Sequence, residues 1–321
     1  MGEGEIMMKR AIYPNFTALS ILLLCFGHAS TLHGAPEALA KDSEVNRSHQ
    51  TDELMFEAMK AWPKVKRKLD DQGNPIRDEG ITGKSGYANF LKGLSMSEAQ
   101  ALTEVMPGGH PEGGKGHIAL EPDDYRNLAF FRNAKTFSLY ELDGINDRAL
   151  EVIANNLPAS VEKIAMEGIA GNGAGISHFR GNTTLKTFNL FFNQKVTDIV
   201  LEHLAEIPNL EAINLSGNPD LKGDGIEFLE QLKHLKSLNL NGTGISDKTL
   251  SAIGKLEQLE SLSINDTTIT GDALIGFLSD KNNVPNLQVL SFKSTGKAKL
   301  ALKKNEKKQL LMVRPGLKVN L

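Results

Sequence analysis

The sequence has a single cysteine, Cys25, in 321 residues. One thiol cannot close a disulfide within the chain, so no covalent staple holds it together. Aromatic residues are scarce too, 6% with one tryptophan, which leaves aliphatic side chains to build the core. Neither sign of charge prevails. The 36 basic and 39 acidic residues leave −3, which argues against whole-protein binding to nucleic acid or to a membrane surface. No integral membrane segment is expected in the mature chain, because the apolar run Ala18–Phe26 is too short to cross a bilayer comfortably.

That run follows Lys9 and Arg10 and precedes the small residues Gly27, Ala29 and Ser30. A basic start, a short apolar stretch and a small-residue exit describe a secretory signal peptide, expected over residues 1–35. Export to the periplasm or out of the cell is the resulting expectation. Lipid attachment at Cys25 is the alternative, although Leu24 stands where a lipoprotein signal wants a small residue. Residues 36–52 are polar and read as a disordered leader. Residues 53–127 read as a helical N-terminal region. Its first helix spans 51–69 with a kink at Pro63, and a second opens at the capping box Ser95-x-x-Glu98 and runs through Val105. A glycine-rich loop, 107–117, separates these from a third helix over 123–132.

Beyond residue 128 the chain repeats itself. Apolar pairs stand at Phe137/Leu139, Ile164/Met166, Phe188/Leu190, Ile213/Leu215, Leu238/Leu240, Leu262/Ile264 and Leu290/Phe292, offset by 27, 24, 25, 25, 24 and 28 residues. Another leucine precedes five of them, at Leu185, Leu210, Leu235, Leu259 and Leu287. Three residues after the pair comes Asn193, Asn218, Thr243, Thr267 or Thr295, then Val196, Leu221, Ile245 or Ile269. Aspartates at 147, 198, 224, 247 and 272 open the next stretch and stand where helix N-caps are wanted. The alternating pair is a short strand, the stretch after the aspartate a helix of two to three turns, and neither buries its apolar side except against neighbouring units.

The unit Leu-x-x-Leu-x-Leu-x-x-Asn/Thr-x-x-Ile-x-Asp resembles the leucine-rich repeat family, closest to bacterial exported proteins with ribonuclease-inhibitor-like helical units of 24–25 residues. The resemblance covers residues 128–321, about seven units plus a C-terminal cap formed by a helix over 300–312 and a strand over 316–321. It implies an α/β right-handed solenoid, parallel strands on the concave face and helices on the convex face, with residues 53–127 as a small helical cap. It also implies partner binding without catalysis.

The residues themselves offer little chemistry. Gly83-Lys84-Ser85 lacks the upstream glycine and strand of a phosphate-binding loop. His110, His117 and Glu112 lie in the glycine-rich loop, which does not fix a metal geometry. Asp70/Asp71 and Asp123/Asp124 are adjacent surface pairs, and Ser97, Ser177 and Ser246 lack a nucleophile elbow. Neither catalytic residues, metal nor cofactor is expected.

The strand pattern instead defines a surface. On the concave side it places Tyr140, Asn189, Phe191, Phe192, Asn214, Asn239, Asn241 and Asn265, a polar floor with aromatic rings at one end. Exposed aromatics beside adaptable polar groups suit a protein or peptide partner. Two blander readings compete: the phenylalanines pack beneath the degenerate second unit or an N-terminal loop, or the asparagines form a structural ladder. The expected function is a monomeric, non-catalytic interaction module. Alternatives are an envelope scaffold, held at Cys25 or by the basic stretch Lys293–Lys318, and an effector with an activity in residues 50–127.

Overall fold

A computed structural model describes residues 37–60, 92–106, 118–140, 142–293 and 304–321. The signal-like segment, Cys25, the second half of the first expected helix, Gly83-Lys84-Ser85 and the loop with His110 and His117 lie outside these. The chain divides after Thr51. Described residues before that point form only the beginning of α1, Glu37–Lys60. Helix therefore takes in the segment whose polarity marks it as a leader. The Glu-Ala-Leu-Ala-Lys start consists of strong helix formers, and polarity keeps residues out of a core, not out of a helix.

From Asp52 onward α1 belongs to the repeat body. Phe56 and Met59 are buried, and Phe56 stacks on Phe130 with ring centroids 5.4 Å apart. The Asp52 carboxylate accepts from Arg132 Nη2 at 2.7 Å and Gln100 Nε2 at 3.0 Å. Ser95 and Glu98 form the expected capping box of α2, Met96–Gln100. This helix stops short of its expected end, because Val105 lies in strand β1, Glu104–Val105, paired to the first repeat strand. Between the short strand β2, Ile118–Ala119, and the first repeat strand runs a 3-10 helix, Pro122–Phe130, in place of an α-helix. Buried Tyr125, Leu128 and Phe131 recur every third residue, which is the 3-10 period.

The repeat strands are β3 Thr136–Leu139, β5 Lys163–Met166, β6 Thr187–Leu190, β7 Ala212–Asn214, β8 Ser237–Asn239, β9 Ser261–Ser263 and β10 Val289–Ser291. With β1 and the C-terminal β11, Lys318–Asn320, they form one nine-stranded parallel sheet in chain order. A separate ladder joins β2 to β4, Leu142–Asp143. One register row runs Val105, Phe137, Ile164, Phe188, Ile213, Leu238, Leu262, Leu290, Val319. The seven expected rungs are thus in register, with one more at each end, and the sheet reaches back to residue 104 rather than 128.

Behind the sheet the second member of each pair, the preceding leucines and Val196, Leu221, Ile245 and Ile269 are all buried in one continuous cluster. Each buried leucine contributes about 1.5–3 kcal/mol, but only against the unit beside it. The return legs are α3 Asp147–Asn156, α4 Ile199–Ala205, α5 Leu250–Gly254 and α6 Gly271–Ser279, with 3-10 turns at Ala174–Phe179 and Ile226–Gln231. α7, Lys304–Val313, precedes β11 as the expected closing helix. The glycine-rich second unit has a steric cause. Gly173 has φ +97°, and a Cβ there would sit 2.1 Å from Val200 Cγ1 of the next unit.

Two side-chain columns join the units. Asn193 Oδ1 accepts from Ile169 N–H at 2.7 Å, and its own N–H donates to Asn218 Oδ1 at 2.9 Å. Asn218 Nδ2 donates to Leu190 and Leu215 carbonyls, both at 2.7 Å. Threonine is too short to bridge. Thr243 and Thr267 donate only within their own units, to Leu240 and Ile264 carbonyls. The aspartates are not the N-caps expected of them. Asn146, Ser246 and Thr270 are the N-cap residues beside Asp147, Asp247 and Asp272, and Gly225 stands at that position after Asp224. Asp198 holds the N-cap position but makes no side-chain cap bond there. Asp198 Oδ1 instead accepts from Gly223 N–H, and Asp247 Oδ1 from Thr270 N–H, each at 2.7 Å in the next unit. A carboxylate at this loop serves the neighbouring turn better than its own helix, because the strand-to-helix bend leaves that neighbour's N–H unpaired.

At the start of the strands, a rail of charges alternates in sign from unit to unit: Lys135, Glu162, Lys186, Glu211, Lys236, Glu260. Glu162 pairs with Lys135 at 3.4 Å and Lys186 at 3.0 Å, and Lys236 with Glu260 at 3.3 Å. The Lys186 ammonium, hydrogen-bonded above all, holds the Glu162 carboxyl below its ordinary range.

Candidate functional site

Among the described residues the strand alternation leaves one face of the sheet open over β6–β10. In β7, β8, β9 and β10 the central residue is buried and its two neighbours are half-exposed. Asn189, Asn214, Asn239, Ser263 and Ser291 occupy one outward column in register. Ser138 and Ala165, in the same column, are buried instead. The Ser138 hydroxyl donates to Glu104 Oε1 at 3.4 Å, a contact made possible by the extra strand β1.

The aromatic end is assembled. Tyr140 and Phe191, two units apart, approach to 5.3 Å between centroids, and Phe191 meets Phe192 edge-on at 5.7 Å. Phe191 is half-buried in this cluster, but Phe192 is 59% exposed, so packing beneath the second unit does not account for it. Phe192 also departs from its column. The backbone here turns left-handed in the neighbouring units too, at Gly168, Gly217 and Gly242 with φ +72°, +72° and +64°, and Asp266 with +55°. Phe192 adopts φ +53° without glycine's freedom. The turn is imposed by bonds to the next unit: Phe192 N–H donates to Ser216 carbonyl and Gly217 N–H to Asn241 carbonyl. A large side chain in this conformation costs about 1–2 kcal/mol. Gly217 makes room for it, since a Cβ there would lie 2.4 Å from Phe192 Cδ1.

The asparagines divide their polar groups. Asn214 Oδ1 accepts from Ser216 N–H and Asn239 Oδ1 from Asn241 N–H, each at 3.0 Å. Asn241 Oδ1 accepts from Asn265 N–H of the next unit at 2.7 Å. Only the Asn241 oxygen bridges to the next unit as a ladder would; the other two bond within their own turns. Asn265 Oδ1 is buried without a partner among the described residues, and the Asn189 side chain bonds to none of them. Asp124 accepts from Glu121 N–H and caps the 3-10 helix, and burial raises its carboxyl above the ordinary range. Among the described residues no group of three or more His, Cys, Asp or Glu side chains is placed to hold a metal, and no helix is long and apolar enough to cross a membrane.

The leucine-rich repeat profile matches residues 181–199 and 231–254, which include the buried Leu185, Leu190, Leu235, Leu238 and Leu240. The solenoid is built of leucine-rich repeats. Among solved structures, an internalin (inlF) of Listeria monocytogenes resembles it at 18% identity, covering 65% of this chain and 52% of that one, with a TM-score of 0.44. Internalin C2 (inlC2) of the same organism does so at 17%, covering 71% and 84%, TM-score 0.45. Human 5T4, a Wnt-activated inhibitory factor, does so at 18%, covering 63% and 78%, TM-score 0.41. This chain spans about half the length of the first internalin. No curated protein sequence matches it.

Sequence spacing found the repeat face and its aromatic end. Gly217 as the seat of Phe192 was missed, yet in the column Gly168, Phe192, Gly217, Gly242, Asp266 the phenylalanine is the one large apolar member, flanked by glycines. Val105 as a strand residue carried no such signal, because a two-residue strand has no period.

Proposed function

We propose that this leucine-rich repeat protein is a non-catalytic interaction module that docks a protein or peptide on the open, strand-side face of its sheet. One observation carries the reading. Phe192 is held exposed in a strained conformation that neighbouring units give to glycine, and strain kept at an exposed aromatic is expected where the ring is used. Tyr140 and Phe191 buttress it, and the asparagine floor beside it supplies polar contacts. The signal-like features around Lys9 and Ala18–Phe26 support a role outside the cytoplasm, which N-terminal sequencing of the exported protein checks.

A photo-crosslinking residue at Ser216, on the open face, is expected to capture a partner, and one at Lys233, behind the sheet, is not. Capture should fall with Phe191→Ala/Phe192→Ala at unchanged thermal stability. Adducts formed only from Lys233 overturn the reading.

A further inference from the structure

The oxygens of three floor asparagines are already taken. Asn214, Asn239 and Asn241 each accept a backbone N–H through Oδ1, from Ser216, Asn241 and Asn265. An N–H must meet an oxygen, so these bonds fix which way each amide points, an assignment otherwise ambiguous. Each Nδ2 is left outward, with no partner among the described residues, and none of the three is a buried unpaired atom. Three amide groups on two consecutive units thus offer free N–H donors, while each of their oxygens has already given one lone pair to a backbone N–H. Around them the outward positions of β6–β9 hold threonine, serine, alanine and asparagine and no ionisable side chain.

From this polarity we infer that the partner lays an extended, uncharged peptide segment across β7 and β8, with main-chain carbonyl oxygens received by the Nδ2 groups of Asn214, Asn239 and Asn241. The inference rests on the docking role proposed above and specifies its ligand. A carbonyl oxygen accepts without donating, which is what the floor leaves open. A sugar hydroxyl brings a proton of its own, and each asparagine oxygen has only one lone pair left to take it. A carboxylate would find no cation on the floor itself, and the nearest, Lys186 and Lys236, are already paired with Glu162 and Glu260. An apolar or aromatic side chain of the same segment meets the Tyr140–Phe191–Phe192 cluster next to β6.

The test uses the full chain and a random dodecapeptide library displayed on phage. Enriched linear peptides poor in Asp, Glu, Lys and Arg are expected. Their affinity should fall about tenfold or more in Asn214→Asp/Asn239→Asp, which keeps an oxygen for Ser216 and Asn241 N–H but replaces the outward donor with an acceptor. Thermal melting monitors folding, and Asn239→Asp alone carries the test if the double variant is unstable. Replacing one contacting carbonyl of a selected peptide by a thiocarbonyl, a weaker acceptor, should also lower affinity. Peptides that bind through Phe192 but ignore the Asn→Asp changes overturn the donor row and leave the docking reading intact. Enrichment of acidic or basic peptides overturns the uncharged segment. Capture of neutral glycans with no peptide enriched overturns both readings.

Discussion

At the scale of single residues, two positions show stability and purpose pulling apart. Phe192 occupies a left-handed turn that glycine fills in three other units. Phe192→Gly is expected to leave stability unchanged or raise it by up to about 1 kcal/mol, since relief of strain is partly offset by glycine's greater unfolded-state freedom. The same change should abolish partner capture. A melting curve and a binding assay on one variant check both, and a clear loss of stability would mean the ring is part of the packing. Asn218 is the opposite case, buried and bonded on all sides. Asn218→Thr keeps the bond within its unit, as Thr243 does, but orphans Asn193 N–H and the Leu190 carbonyl. A loss of about 1–3 kcal/mol is expected by denaturant unfolding.

At the scale of elements, the strands were legible from sequence and the legs between them less so. Phe137, Ile164 and their successors alternate with polar residues at a fixed interval, and only a stacked sheet uses such a pattern. The legs are short, and 3-10 turns at 174–179 and 226–231 replace helices where Gly173 and Gly225 open them left-handed. The aspartates misled for a chemical reason: an N-cap and a bridge to the next turn want the same residue type. Burial lifts the Asp198 carboxyl above the ordinary aspartate range, against the hydrogen bond it accepts from Gly223. A folded-state value above the unfolded one stabilises at pH below the unfolded value, about 3.9, and that contribution is lost as pH rises through the folded value. Asp198→Asn keeps an acceptor for Gly223 N–H. It is expected to stabilise relative to the wild type at pH 7, with the difference vanishing near pH 3 in paired thermal melts.

At the scale of the whole molecule, the repeat body from Asp52 to Leu321 has one core, assembled from side chains that no unit could bury alone. Spacing made this legible. Its ends were not, because β1 and α1 follow no period and are recruited by contact, Val105 against Phe137 and Phe56 against Phe130. The candidate surface was legible as a set of positions. Its polarity was not, because which end of an amide faces out depends on backbone bonds that spacing cannot reveal.

The alternating charges at the strand starts carry a rule of parity. Excising residues 187–211 sets Lys186 beside Lys236, whereas excising 187–236 sets Lys186 beside Glu260. The first shortened protein should gain melting temperature when salt is added, because screening relieves a repulsion, and the second should not. A solenoid of this kind tolerates loss or gain of turns more readily in twos than singly.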